Sequence, residues 1–308
     1  MSRSTISTFK LLELFPTEQA AYDYVEKRLW PNGPVCPRCK GTERISKRES
    51  GRAGLYRCNP CAREFTVKIG TIFEDSHIPL RQWLYAMYML VTARKGISSM
   101  QLGKEIGIRQ ASAWFLLHRL REACGNDLTM LRGIVEVDEV YFGGKEQNKH
   151  MKQRFLFKES GPVNKTPVVG MRERGGRTRA FPVQSTGAIS LGRAVRQNVE
   201  EGSALHTDEN PSYRHLANDY THATVNHSKD EYSRNGVTTN GIESVFAVMR
   251  RGLHGVYHHA SKKHIGRYVN EFTWRLNDGN VARHTMERLD SFVTAVAGRR
   301  ITYKGLTA

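Results

Sequence analysis

Two Cys-x2-Cys pairs, Cys36-Pro-Arg-Cys39 and Cys58-Asn-Pro-Cys61, stand 18 residues apart, and nothing else in the 308-residue chain restricts its folding as tightly. A tight turn can present two sulfurs to one ion, and four thiolates complete the tetrahedron that a structural Zn2+ requires. The spacing is that of a zinc site, whereas a redox Cys-x-x-Cys motif explains one pair and not both. One structural Zn2+ on Cys36, Cys39, Cys58 and Cys61 is therefore expected. Cys124 falls in an apolar helical pattern and reads as a core residue. The polar stretch Met1–Lys10 lacks a signal-peptide core, and no run approaches the roughly 20 apolar residues of a membrane span. The expectation is a reduced, cytoplasmic, nucleoid-associated protein with no membrane partner.

Charge narrows the partners. Lys and Arg number 47 against 30 Asp and Glu, a formal net charge of +17. Residues 1–125 hold 20 basic and 11 acidic side chains, leaving 27 and 19 for the remainder, so both parts are cationic. Such an excess favours a polyanion: nucleic acid first, an acidic membrane surface second.

Periodicity divides the chain. A short helix, Glu18–Leu29, is expected after the N-cap Thr17 and before the Trp30-Pro31-Asn32-Gly33-Pro34 turn. Leu80, Trp83, Leu84, Met87, Tyr88 and Val91 recur at helical spacing. Ile97–Ala123 has the organisation of a helix-turn-helix. Ser98 and Gln101 form a capping box, Gly107 makes the turn, and a second helix opens on Arg109, Gln110 and Ser112, with Arg119 further along. Arg109, Gln110, Ser112 and Arg119 are the DNA-binding candidates of this motif, the first three placed to reach base edges and phosphates; an ordinary helical hairpin is the competing reading. From Gly133 the pattern alternates between β and α. Strands are expected at Ile134–Val137, Val168–Met171, Arg177–Val183 and Ala204–Thr207, and helices at Leu191–Glu200, Ile242–Arg251 and Lys262–Leu276. Lys145–Lys165 is polar and reads as a loop. The expected organisation is multidomain: a helical segment (1–35), a zinc ribbon (36–70), a helix-turn-helix region (71–126), an α/β catalytic domain (127–280), and a C-terminal helix and tail (281–308).

Carboxylates punctuate the α/β part. Val135-Glu136-Val137-Asp138 and Leu205-His206-Thr207-Asp208 each place an Asp at the end of an apolar strand, and Glu243 opens a helix with 34 residues between it and Asp208. Three carboxylates brought together could hold two divalent cations that clamp the attacking and leaving oxygens of a phosphoryl displacement. Hard oxygen ligands suit Mg2+ or Mn2+. On spacing alone each carboxylate could equally be a solvated or salt-bridged group. Glu136, on the same side of its strand as Asp138, is a candidate support for the site.

Several blocks, in order, resemble the zinc-ribbon DDE transposases of bacterial and archaeal insertion sequences. They are Trp30-Pro31-Asn32-Gly33, Gly70-Thr71-Ile72-Phe73, the run from Ala113 to Arg119, the run from Val137 to Lys145, the run from Asn240 to Ser244, and the run from Gly255 to His259. The resemblance extends from about Phe15 to the C-terminus. It implies an RNase H-like core in which Asp138, Asp208 and Glu243 hold two Mg2+ or Mn2+ ions, nick the element's ends and join them to target DNA. It also implies a homo-oligomer on double-stranded DNA. Arg250, two helical turns past Glu243, would meet DNA, with Lys145 and Arg251 as further phosphate contacts. Some members of the group use Asn as third catalytic residue, which here would be Asn240; otherwise Asn240 caps the helix. An RNase H-like nuclease without strand transfer and a DNA-binding regulator without catalysis are the alternative functions.

Overall fold

The computed structural model describes residues 5–49, 51–125, 129–143, 165–229, 231 and 233–308. Lys145 and most of the expected loop lie outside them. The chain forms two compact units: Met1–Gly125 with Asp278–Ala308, and Asn126–Asn277.

In the first unit, α1 (Thr8–Leu14) and α2 (Glu18–Leu29) precede a three-stranded antiparallel sheet, β1 (Ile45–Lys47), β2 (Tyr56–Cys58) and β3 (Arg63–Phe65). Helix α3 (Leu80–Thr92) follows, with Leu80, Trp83, Leu84, Met87, Tyr88 and Val91 buried as their spacing requires. Its N-terminus begins after Pro79, which has no side-chain acceptor to offer. The Glu18 carboxylate takes that place, accepting from Leu80 N–H at 2.6 Å and Arg81 N–H at 3.0 Å. At the far end the buried Arg288 guanidinium donates to the Val91 carbonyl and, at 3.1 Å, to Thr285 Oγ1. An anion thus sits at the positive end of α3 and a cation at the negative end, satisfying orphan backbone groups and opposing the helix dipole.

Helices α4 (Ser99–Ile106) and α5 (Gln110–Ala123) meet through Gly107, whose φ of 68° ends α4. A Cβ at Gly103 would lie 2.9 Å from the Ile108 carbonyl and 3.6 Å from the Ala113 Cβ, so glycine permits the close approach. Ser98 Oγ accepts from Gln101 N–H at 3.1 Å, but the Gln101 amide turns to Glu105 at 2.8 Å. Only half of the expected capping box forms, because the neighbouring carboxylate competes for that amide. Residues 281–308, read from sequence as a separate helix and tail, return to this unit as α9 (Thr285–Thr294), against α2 and α3, and α10 (Tyr303–Thr307).

The second unit is a mixed five-stranded sheet in the order β6-β5-β4-β7-β8. β4 (Ile134–Phe142), β5 (Thr166–Glu173) and β6 (Thr178–Pro182) run antiparallel; β7 (Ala204–Thr207) and β8 (Thr221–Thr224) are parallel to β4. Helices α6 (Ala188–Arg196), α7 (Asn240–Gly252) and α8 (Ile265–Leu276) complete the unit. Strand alternation separates two cores. Val135, Val137, Val169, Met171 and Leu205 pack with Leu191 and Val195 of α6. Val140 and Val168 pack with Ile242, Phe246 and Met249 of α7 and with Phe272 of α8. Glu136 and Asp138 share the parity of Val140 and so belong to the α7 face of β4.

Candidate catalytic site and zinc centre

The two knuckles converge. Cys36 and Cys61 Sγ are 4.0 Å apart, Cys39 and Cys58 Sγ 3.8 Å, and all four sulfurs lie within 4.8 Å of one another. Tetrahedral Zn2+ with Zn–S bonds of about 2.3 Å separates its sulfurs by about 3.8 Å, so the donor set fits zinc. Lys40 and Ala62, each directly after the second cysteine of its knuckle, take positive φ of 59° and 51°. Trp30 packs edge-on against Tyr56 and Phe65, walling the cluster from one side. Burial pushes the Cys36 thiol up, but N–H groups of Cys39 and Arg38 outweigh it and bring it down to about 7. Cys61 is pushed up to about 12, chiefly by Cys39 and then by burial. A cluster that ionises one thiol and resists the next is one that a cation completes.

The carboxylates gather in the second unit. β4 pairs with β7 from Ile134↔Ala204 to Glu136↔His206. Asp208 follows directly on the end of β7, and its carboxylate acts electrostatically on Asp138. Asp138 is not at a strand end, as its sequence suggested. β4 continues to Phe142 because β5 still pairs with it, while β7 has ended at Thr207. Asp138 therefore has a strand on one side only. Directly across from it on β5 is Gly170, where a Cβ would come within 2.6 Å of Phe246 and 2.8 Å of Ile242. The missing side chain lets α7 lie close on the sheet, one residue from Glu243. Burial pushes the Asp138 carboxyl up to about 7; the Glu139 N–H opposes the rise, and the Glu139, Asp208 and Glu243 carboxylates add to it. Glu243 accepts from Thr239 Oγ1 at 2.8 Å. Among the described residues these carboxylates are not drawn together as tightly as the four thiols.

The start of α7 is fixed by a group whose part was only half legible. Glu136, buried, accepts from Ile242 N–H at 3.0 Å and from Arg174 Nη2 at 3.2 Å. Arg172 Nη1 donates to the Gly241 carbonyl at 2.8 Å, and a Cβ at Gly241 would fall 2.4 Å from the Glu136 carboxylate. A carboxylate at a helix N-terminus is favoured by the dipole. Here it also ties α7 to β4 one residue from Glu243. Glu139, on the opposite face, accepts from Asn210 Nδ2 and Tyr213 Oη; burial raises its pKa, and Asp208 adds to the rise. The cap of α7 is Thr239, not Asn240, which is its exposed first residue.

Arg109, Gln110 and Ser112 are exposed, and Gln110 Nε2 donates to Ser99 Oγ at 2.8 Å. Arg119 is not: 4% exposed, it donates to the Glu74 carbonyl and lies over the Trp83 and Phe115 rings. From Leu116 onward α5 is buried on nearly every side, so a DNA contact there has no access. Arg250 and Arg251 are exposed in the last turn of α7.

Residues 130–277 match the ISXO2-like transposase domain, and residues 16–64 match the transposase zinc-ribbon domain. Residues 16–64 and 130–277 thus carry the two domain families of insertion-sequence transposases. An uncharacterized protein in transposable element ISH50 of Halobacterium salinarum is 27% identical over 274 residues, spanning 86% of this chain and 92% of that one. A chain of a pre-cleavage Mos1 transpososome aligns over 94% of this chain and 96% of its own, at 11% identity and a TM-score of 0.24, too low to bear on architecture.

Two outcomes follow from the site. Wild-type protein should carry about one zinc per chain, and Cys39→Ser should lose it and unfold the ribbon, since structural zinc supplies folding energy outright. Metal analysis with hydrogen exchange over residues 36–65 reads both; full zinc retention in the variant would refute the assignment. Asp138 should destabilise the metal-free protein as pH rises. Its carboxyl titrates near the ordinary 3.8 when unfolded and about 7 when folded, so between those values the folded state holds the extra proton. Stability then falls with rising pH across that window. In chelator at pH 8, Asp138→Asn should melt higher than wild type; equal melting at pH 5 and pH 8 for both proteins contradicts the carboxylate crowding.

Proposed function

We propose that this chain is a DNA transposase that binds the terminal repeats of an insertion sequence and cleaves and transfers strands with Asp138, Asp208 and Glu243. The observation that supports it most is the electrostatic crowding of the half-buried Asp138 by carboxylates from β4, the residue after β7, and α7. The strand order, three antiparallel strands followed by two parallel ones on the other side of the first, supports an RNase H-like core. Mutually repelling hard oxygen donors fit Mg2+ or Mn2+, and two such ions held by the three carboxylates would stabilise the attacking and leaving oxygens of an in-line displacement.

The chain's own residues do the positioning. Thr239 holds the Glu243 carboxylate, and Glu136 with Arg172 and Arg174 holds the start of α7 against β4. Arg250 and Arg251 neutralise phosphates beside the scissile one, with Lys145 as a further contact. Arg109, Gln110 and Ser112 read the terminal repeats from the start of α5, as the second helix of a helix-turn-helix. Water is the nucleophile that nicks the element's end; the freed 3′-hydroxyl then attacks a target phosphate, expelling its 3′-oxygen. Two ends must be joined, which calls for a homo-oligomer on DNA. Glu243 is preferred to Asn240 as third residue because it is anionic and its charge reaches Asp138.

The test is cleavage and joining of duplexes bearing the element's own ends, with Mg2+. Asp138→Asn, Asp208→Asn and Glu243→Gln should each lose at least about a hundredfold, the scale of removing one transition-state stabiliser, while Asn240→Ala stays active. Loss in Asn240→Ala with survival of Glu243→Gln would reassign the third residue. Hydrolysis without joining would leave a nuclease, and binding without cleavage a regulator.

A further inference from the structure

Beyond Arg250 the chain keeps a single sign of charge well past the end of α7. The 27 residues from Ser244 to Asn270 contain five Lys or Arg, four His and no Asp or Glu. Arg250, Arg251, His254, His258, His259 and Lys262 are all exposed. None of these six side chains has a hydrogen bond or ion pair among the described residues. The negative end of a helix dipole accounts for two arginines in the last turn of α7, but not for cations that continue past it.

The backbone beneath them is unusual in two ways. α7 passes without a break into a π-helical turn, Leu253–Tyr257, and His258 then adopts φ 59°, a conformation that residues other than glycine rarely take. π-Turns and strained residues gather at functional segments, because surrounding contacts must hold them in place. Those contacts are present. Tyr257 donates to Glu271 Oε1 at 2.5 Å and packs edge-on against Tyr268 at 4.8 Å. Glu271 is itself buried and paired with Arg275. The cationic segment is thus bolted to α8 through its one large aromatic side chain, leaving its histidines and lysine outward.

Position connects it with the carboxylates. Arg250 follows Glu243 by seven residues, two turns along one stripe of α7, and His254 lies in the π-helical turn that continues the helix. At 1.5 Å per residue, Glu243 and Arg250 stand about 10 Å apart along the axis. That is about three nucleotides of a duplex strand at 3.4 Å each.

We propose that His254, His258, His259 and Lys262 form a phosphate track for the DNA strand that leaves the carboxylate site along α7. The ligand is the sugar–phosphate backbone of duplex DNA. Phosphate accepts hydrogen bonds from imidazole N–H whether or not the ring is charged, and from the ammonium group. The track makes no demand on base sequence. This inference rests on the transposase reading and extends it to residues outside the candidate catalytic set.

The test is binding of full-length protein to two duplexes, one carrying the element's end and one unrelated, by fluorescence anisotropy between about 50 and 200 mM salt. The variant His254→Gln/His258→Gln/His259→Gln/Lys262→Gln should lose about tenfold or more on both duplexes alike. Its plot of log affinity against log salt should be shallower by at least about 0.9, one phosphate contact. A parallel variant, Arg109→Gln/Gln110→Ala, should lose more on the element's end than on unrelated DNA. Lys262→Gln alone, a single exposed substitution, should reproduce part of the loss if the fourfold variant does not fold. Unchanged affinity and slope in folded track variants, with wild type binding normally, would overturn the track and spare the transposase reading. Wild type that binds neither duplex overturns both.

Discussion

Bringing several carboxylates within electrostatic reach of the half-buried Asp138 is unfavourable, and much of what is distinctive in the second unit bears on how they approach it. Asp138 occupies the stretch of β4 that β7 no longer covers, Asp208 ends β7, and Glu243 arrives from above on α7. Each approach has its own support. β5 keeps β4 extended past the end of β7; Gly170 leaves room for Ile242 and Phe246; Glu136 binds the first turn of α7. The result is an Asp138 carboxyl pushed up to about 7. A tenfold change in acidity corresponds to about 1.4 kcal/mol between the two protonation states. Ionising Asp138 in these surroundings therefore costs several kcal/mol, which a divalent cation can offset.

The first unit solves different problems with long-range partners. Its ribbon has few apolar side chains, and four converging thiols take the place of a larger core. α3 has no side-chain acceptor at its N-terminus and no basic side chain in its last turn, so Glu18, 62 residues before Leu80, accepts from the first N–H groups and Arg288, 197 residues after Val91, donates to the Val91 carbonyl. The C-terminal helices belong to this unit for that reason: α9 carries the cation that α3 needs.

These differences explain what the sequence could disclose. The zinc cluster was fully legible, because ligand type and spacing are local properties. α3 was legible from apolar period alone, and the parallel pair β4 and β7 from short apolar runs ending in Asp. Gly170 was detectable in principle, since glycine inside a strand marks close approach by another element. Glu136 was not, beyond its parity with Asp138, because its partner is the N–H of Ile242, 106 residues on. Arg119 was misplaced because its chemistry was weighed without its helical phase: it shares a stripe with Leu116 and Ala123, both buried. β8, four residues long and without an apolar run, left no signal at all. The return of residues 281–308 to the first unit depends on the buried Arg288, whose partner no local pattern names.

The central claim is that Asp138, Asp208 and Glu243 meet at one divalent-cation site, and metal-directed backbone cleavage tests it most directly. Fe2+ would replace Mg2+, peroxide and ascorbate would generate radicals at the bound ion, and mass spectrometry would map the cuts. The account predicts three clusters of cuts, around residues 138, 208 and 243, all suppressed by excess Mg2+ and all lost in Asp138→Asn. Cuts confined to one of these segments, or insensitive to Mg2+, would contradict it.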